Sequence, residues 1–182
     1  LAFASLIGLM VFFSIASPNF MQFENMIGIL QSTAVNGVLA IACTFGIITS
    51  GIDLSVGTSM TFSAVMAGVF LVNFGLPLPV GVIGAIASGA FIGWISGVLI
   101  AKMKLPPFIA TLGMMMLLKG LSLVISETKP IYFTDVEGFS SISQDSLIGI
   151  ILPMFPIPNA VLILFVVALL ATFILNKTIL GT

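Results

Sequence analysis

Six apolar stretches, most of them about as long as a bilayer core requires, constrain what this chain can fold into. They run over 1–16, 26–49, 58–74, 80–101, 105–126 and 157–175. Five of them are closed by residues that stop helices or favour water: Ser17-Pro18-Asn19, Gly51 to Gly57, Gly75 to Pro79, Lys102-Met103-Lys104, and Asn176-Lys177. Only 6% of the residues are charged, against about 25% in a soluble domain. Such a chain cannot cover its own surface in water. The expected fold is all-α, a polytopic membrane helix bundle forming one transmembrane domain over 1–182, with both ends read as cuts in a longer protein.

Charge placement orients the spans. Lys102 and Lys104 follow the fourth stretch and Lys177 the sixth. The positive-inside rule puts both sites in the cytoplasm. The segment 127–145 carries Glu127, Asp135, Glu137 and Asp145 against Lys129 alone, which suits the outside. This count sets the Gly51–Gly57 turn toward the cytoplasm. The apolar piece 146–158 is too short to span and is broken by Pro153, Pro156 and Pro158; it reads as a short interfacial helix or a re-entrant piece.

Several classes of chemistry are excluded. The chain has no His, so the commonest proton relay and metal ligand is missing. No nucleophile–base pair, metal-ligand cluster or Walker motif occurs, and the chain reads as a non-enzyme that binds no cofactor. The lone Cys43 sits in an apolar run as a small buried residue.

Three constellations remain. Gly81, Ala85, Gly89, Gly93, Gly97 and Ala101, each four apart, form a small-residue ridge on one helix face. Such a ridge lets membrane helices approach closely, as a static contact or as a sliding one. Ser32, Asn36, Ala40 and Thr44 make a polar stripe on the second span. A stripe of this kind faces protein or water, not lipid: it glues helices or lines a path. Lys119 is the one charge well inside a span, and its stem can snorkel outward. Asp53, amid glycines and serine, is either a functional intramembrane acid or an N-cap for the third span. Gly51 and Gly57 would then permit a tight turn and close packing.

The residues Thr49-Ser50-Gly51-Ile52-Asp53-Leu54-Ser55-Val56-Gly57 resemble the signature of permease subunits of bacterial ABC importers for ribose and related sugars. Pro107 to Met115 resembles the opening of a later span in that family, and Lys177 to Gly181 the lead into its cytoplasmic loop. Ser50, where a second Gly is frequent, and Lys119, where an Arg is frequent, depart from the pattern. The resemblance implies a bacterial inner-membrane permease that works with a second copy or paralogue. It also implies two cytoplasmic ATPase subunits that hold ATP and Mg, and a periplasmic or extracellular solute-binding protein. Sugars such as ribose and xylose, autoinducer-2 and nucleosides are carried by similar permeases.

The reading is therefore a permease that moves a small neutral polar solute by alternating access, along a path shared by spans two, three and five. Asn36, Thr44, Asp53, Ser55 and Thr111 are the candidates for lining it. The alternatives are an ion-coupled secondary transporter, for which only Asp53 and Lys119 supply charge, and an assembly subunit without a path.

Overall fold

A computed structural model describes residues 1–49, 51–151 and 157–177. Helices are its only extended regular elements among those residues: α1 (Ala2–Ala16), α2 (Phe23–Ile48), α3 (Val56–Gly68), α4 (Leu78–Ala101), α5 (Pro107–Ile125), α6 (Leu147–Ile151) and α7 (Asn159–Lys177). Five helical stretches are long and apolar enough to cross a membrane: α2, α3 with its extension to Asn73, α4, α5 and α7. The first apolar stretch, expected as a sixth span, forms a helix of 15 residues. At 1.5 Å per residue that covers about 22 Å, short of a core about 30 Å thick.

Helix boundaries follow the prolines and glycines. Gly75 takes φ +62, a backbone state that glycine reaches without strain, and reverses the chain after α3. Pro77 then caps α4 and Pro106 caps α5, each with a further Pro in the first turn, where a missing N–H costs nothing. One feature escapes any sequence pattern. α3 does not stop at Gly68 but continues as a π-helix over Val69–Asn73, closed by Phe74 N–H to Val69 C=O at 3.0 Å.

The described residues divide into two compact units. One comprises Leu1–Gly37 with Ser143–Thr182, the other Val38–Ile142. In the first, α2 and α7 meet at Gly37, where an added Cβ would lie 2.8 Å from Leu164 Cδ1. The N-terminus of α7 is pinned to the preceding loop: Asn159 N–H donates to Asp145 C=O at 2.8 Å, and Asn159 Oδ1 accepts from Leu147 N–H at 2.9 Å. The apolar piece before it does form a short helix, α6; residues 152–156, with Pro153 and Pro156, lie outside the described residues.

The second unit packs α3, α4 and α5 against one another. Ile92, Met114 and Leu118 form its core, with Phe62, Ile95 and Leu99 against them. Many large apolar side chains point outward, among them Ile83, Phe91, Trp94 and Leu117. In water such a surface would aggregate. In a bilayer it is the solvated surface, which is why a thin core suffices.

Candidate functional site

The second unit carries the chemistry. Between α2 and α3 the chain is non-helical over Gly51–Ser55, and its polar groups are satisfied by its own side chains and by α5. Asp53 Oδ1 accepts from Ser55 N–H at 2.7 Å and from Ser55 Oγ at 2.6 Å. Thr111 on α5, 1% exposed, accepts from Leu54 N–H at 3.3 Å, and its Oγ1 lies 3.1 Å from Ile52 C=O and 2.8 Å from Pro107 C=O. Thr58 Oγ1 donates to Ser55 C=O at 2.9 Å. The break is therefore a hydrogen-bonded knot seated on α5.

This corrects two expectations. Asp53 is not the N-cap of α3; Ser55 holds that position. The carboxylate lies too far upstream to reach the first-turn N–H groups and makes a local turn onto Ser55 instead, the competing bond short acidic side chains favour. The glycines also differ from each other. A Cβ on Gly51 would lie 3.3 Å from Pro107 Cβ, so Gly51 does serve close packing, whereas Gly57 is exposed with open space beside it. Neither has a positive φ. Ser50 lies outside the described residues.

Three cavities follow the groove between α3 and α5. The first, about 430 Å³, lies among Val72, Asn73 and the loop Ser126–Asp135. The second, about 210 Å³, shares Ser126, Lys129, Pro130 and Ile131 with it and reaches down to Thr61. The third, about 430 Å³, shares Thr61 and is completed by Thr58, Met115, Lys119 and Ser122. From Asn73 to Thr58 this file covers about 22 Å of helix at 1.5 Å per residue. Its lower end meets the knot at Thr58. One turn further down α5, Thr111 borders another cavity of about 240 Å³ with Asp53, Gly93, Ser96 and Gly97.

The loop beside the first cavity begins with a defined helix cap. The loop leaves α5 through a Schellman-type cap: Glu127 N–H donates to Val124 C=O at 3.1 Å and Thr128 N–H to Leu123 C=O at 2.8 Å. The left-handed position that usually takes Gly is filled by Glu127, φ 52. Lys129 Nζ pairs with Glu127 Oε2 at 2.7 Å; both are exposed, so the pair contributes little stability.

Of the residues singled out in the sequence, the structure brings Asp53, Ser55 and Thr111 together. Thr44 stands on an exposed face of α2 and bonds its own helix, Oγ1 to Ala40 C=O at 2.8 Å. Asn36 is also exposed on α2 and belongs to the other unit. The α4 ridge splits. An added Cβ at Gly81 would collide with Leu71 and at Gly89 one would lie 3.1 Å from Ser63 Oγ, whereas Gly93 and Gly97 have nothing within 4 Å; Gly84, off the ridge, lies against Phe70. Sequence reasoning missed Thr58, Thr61 and Ser122. A hydroxyl every three or four residues along α3 was the available signal, since Thr58 and Thr61 share a face with Val65.

Comparison with known proteins places this arrangement. Residues 25–182 match the family described as branched-chain amino acid transport system / permease component. The chain belongs to this permease family. It is 38% identical over 185 residues to the ribose import permease of Escherichia coli K12, which covers 97% of this chain and 54% of that protein. It is 36% identical over 180 residues to the fructose import permease of Rhizobium meliloti (96% and 49%). It is 30% identical over 168 residues to the L-arabinose ABC transporter permease of Azospirillum brasilense (92% and 47%). The chain thus spans about half the length of these relatives. No solved structure matches it. As a member of this family with five spanning helices, the chain is a multi-pass membrane protein.

Proposed function

We propose that the chain acts within a permease subunit of an ATP-driven importer and passes a sugar or similar small neutral polar solute by alternating access. The observation that carries this reading is the file of cavities along α3 and α5, bordered by Thr58, Thr61, Ser122 and Ser126 and reaching down to Thr58 beside the Asp53–Ser55–Thr111 knot. Hydroxyls offer both a donor and an acceptor, which matches a solute whose own polar groups are hydroxyls. The relatives that import ribose, fructose and L-arabinose support the solute class.

The subunit itself performs no covalent chemistry. ATP and Mg are held by separate cytoplasmic ATPase subunits, and a second permease copy or paralogue and an extracytoplasmic solute-binding protein complete the assembly. In this orientation Lys102, Lys104 and Lys177 face the cytoplasm and the loop 127–145 faces outward in a bacterial inner membrane, so the file opens where solute arrives. Asp53, Ser55 and Thr111 shape the lower end of the groove; Asn36 and Thr44 on α2 are the further candidates for contact with the solute.

The test is uptake by the full-length permease reconstituted with its ATPase and binding-protein partners in proteoliposomes. Labelled D-ribose, D-fructose and L-arabinose are offered with and without internal or external ATP at the ATPase face. Uptake of at least one sugar that stops without ATP is the expected result. Uptake driven by an ion gradient alone would favour the secondary transporter instead, and tolerance of Leu at both Asn36 and Thr44 would remove α2 from the path.

A further inference from the structure

The loop that leaves α5 reaches both α3 and the start of α4, and it is fastened at one close contact. Ile131, half-buried, sits on the backbone of α3: a Cβ added to Gly68 would lie 2.7 Å from Ile131 Cγ2 and 3.0 Å from its Cδ1. Beyond it, Phe133 and Phe139 stack at 4.1 Å and 8°, folding the loop onto itself. Gly138 then rests against α4, where a Cβ would lie 3.4 Å from Leu78 Cδ2. Ser126, Lys129, Pro130 and Ile131 border both the first cavity and the second, so this short segment is the wall between them.

Both sides of the fastening depart from ordinary backbone. Glu127 and Thr128 take left-handed conformations, φ 52 and 58, where a β-branched residue such as Thr is an outlier. That state disfavours each non-glycine residue by roughly five- to thirtyfold. On the α3 side the π-turn, a rare form, begins at Val69, immediately after Gly68. Strained backbone persists only where the surrounding contacts hold it. The exposed Lys129–Glu127 pair holds little. The tie between the loop and α3 is then the seat of Ile131 on Gly68.

We propose that the loop is a spring-loaded strap. Ile131 on Gly68 keeps the first two cavities apart, and the left-handed pair Glu127–Thr128 biases the strap toward release. Unseating Ile131 lets that pair relax and joins the cavities. The inference rests on the permease reading only for its purpose, the admission of solute to the groove; the seat and the strained pair stand without it.

The experiment uses the full-length permease in nanodiscs, freed of its other cysteines, and follows labelling of Val65→Cys by a charged methanethiosulfonate reagent. Val65 borders the second cavity and not the first; Asn73→Cys, which borders the first and not the second, is the control. Labelling at 65 is expected to be slow in this background. It should rise about tenfold in Ile131→Ala, which empties the seat, and similarly in Gly68→Ala, whose methyl displaces Ile131. The double variant should return toward the starting rate, because the new methyl occupies the emptied seat. Thr128→Asn, a residue that accepts left-handed backbone, should slow labelling by about fivefold; it removes no packing and tests the strap even where the seat variants unfold. Labelling at 73 should stay constant throughout. Fast labelling at 65 from the start, single variants that leave it unchanged, a double variant more open than either single, or no slowing in Thr128→Asn would each overturn the strap. ATP-driven uptake by the complete assembly would survive all of these results, which separates failure of the strap from failure of the permease reading.

Discussion

The two halves of α4 carry the same spacing of small residues and use it in opposite ways. Near its start, Gly81 on the ridge presses against Leu71, and Gly84 beside the ridge against Phe70, so closely that no Cβ fits. Toward its end, Gly93 and Gly97 border a cavity, and a Cβ added at either would meet nothing within 4 Å. The reason lies in the neighbour. α3 runs antiparallel to α4, and the contacts at Gly81, Gly84 and Gly89 advance steadily back along α3 from Leu71 to Ser63. Continued in that register, Gly97 comes opposite Ser55, where α3 has given way to the knot. A small-residue ridge allows close approach; whether approach occurs depends on a helix being there to meet it.

The sharpest way to break this comparison is to fill both halves. Gly81→Val puts branched carbons into Leu71, itself only 5% exposed, and should destabilise the full-length protein in detergent by roughly 3 kcal/mol, the upper end for overpacking. Thermal unfolding reads the loss. An unchanged midpoint would mean that α3 and α4 separate freely at this end, and the ridge would then be a sliding surface along its whole length.

A smaller effect is expected at the knot. Thr111→Val keeps the shape and removes the hydroxyl, leaving Leu54 N–H and Ile52 C=O without their partner on α5. An unsatisfied buried group costs about 1–3 kcal/mol, and because the bond to Leu54 is long the lower end applies. The change should be local: hydrogen exchange over 51–55 accelerates while α4 and α5 stay protected. Asp53→Asn keeps an acceptor for Ser55 N–H and should cost about 0.5 kcal/mol or less, whereas Asp53→Ala should cost about 1 kcal/mol, the worth of an ordinary hydrogen bond. Equal losses for Asn and Ala would show that the charge, and not the turn, matters at this position.

Much of this architecture is legible in the sequence. Spans, their ends and the break at Gly51–Ser55 follow from apolar length, Pro and Gly, because in a bilayer these local signals meet little competition from long-range packing. The family signature was legible for the same reason. What sequence cannot carry is partner identity. The spacing of Gly81 to Gly97 fixes a face and does not reveal that α3 ends opposite Gly97. Asp53 has the chemistry of an N-cap, yet Ser55 stands nearer the first helical turn and takes that place. The π-turn at Val69–Asn73 precedes the reversal at Gly75, and no periodicity announces it. Asn36 and Thr44 were singled out for a stripe that the described contacts leave exposed, since a polar face on one helix says that something covers it and not what.

An effect of the opposite sign completes the comparison. Gly97→Ala adds a methyl where nothing lies within 4 Å, and in a helix interior Ala is favoured over Gly by about 1 kcal/mol. The full-length protein should therefore become slightly more stable, the opposite sign to Gly81→Val. Transport should fall at the same time if the cavity bordered by Asp53, Gly93 and Gly97 opens to solute in the inward-facing state, because the methyl occupies that space. A gain in stability with undiminished uptake would make the cavity a packing gap at the end of α3. A loss of stability would mean that α4 meets another surface there, and the two halves of the ridge would then be alike.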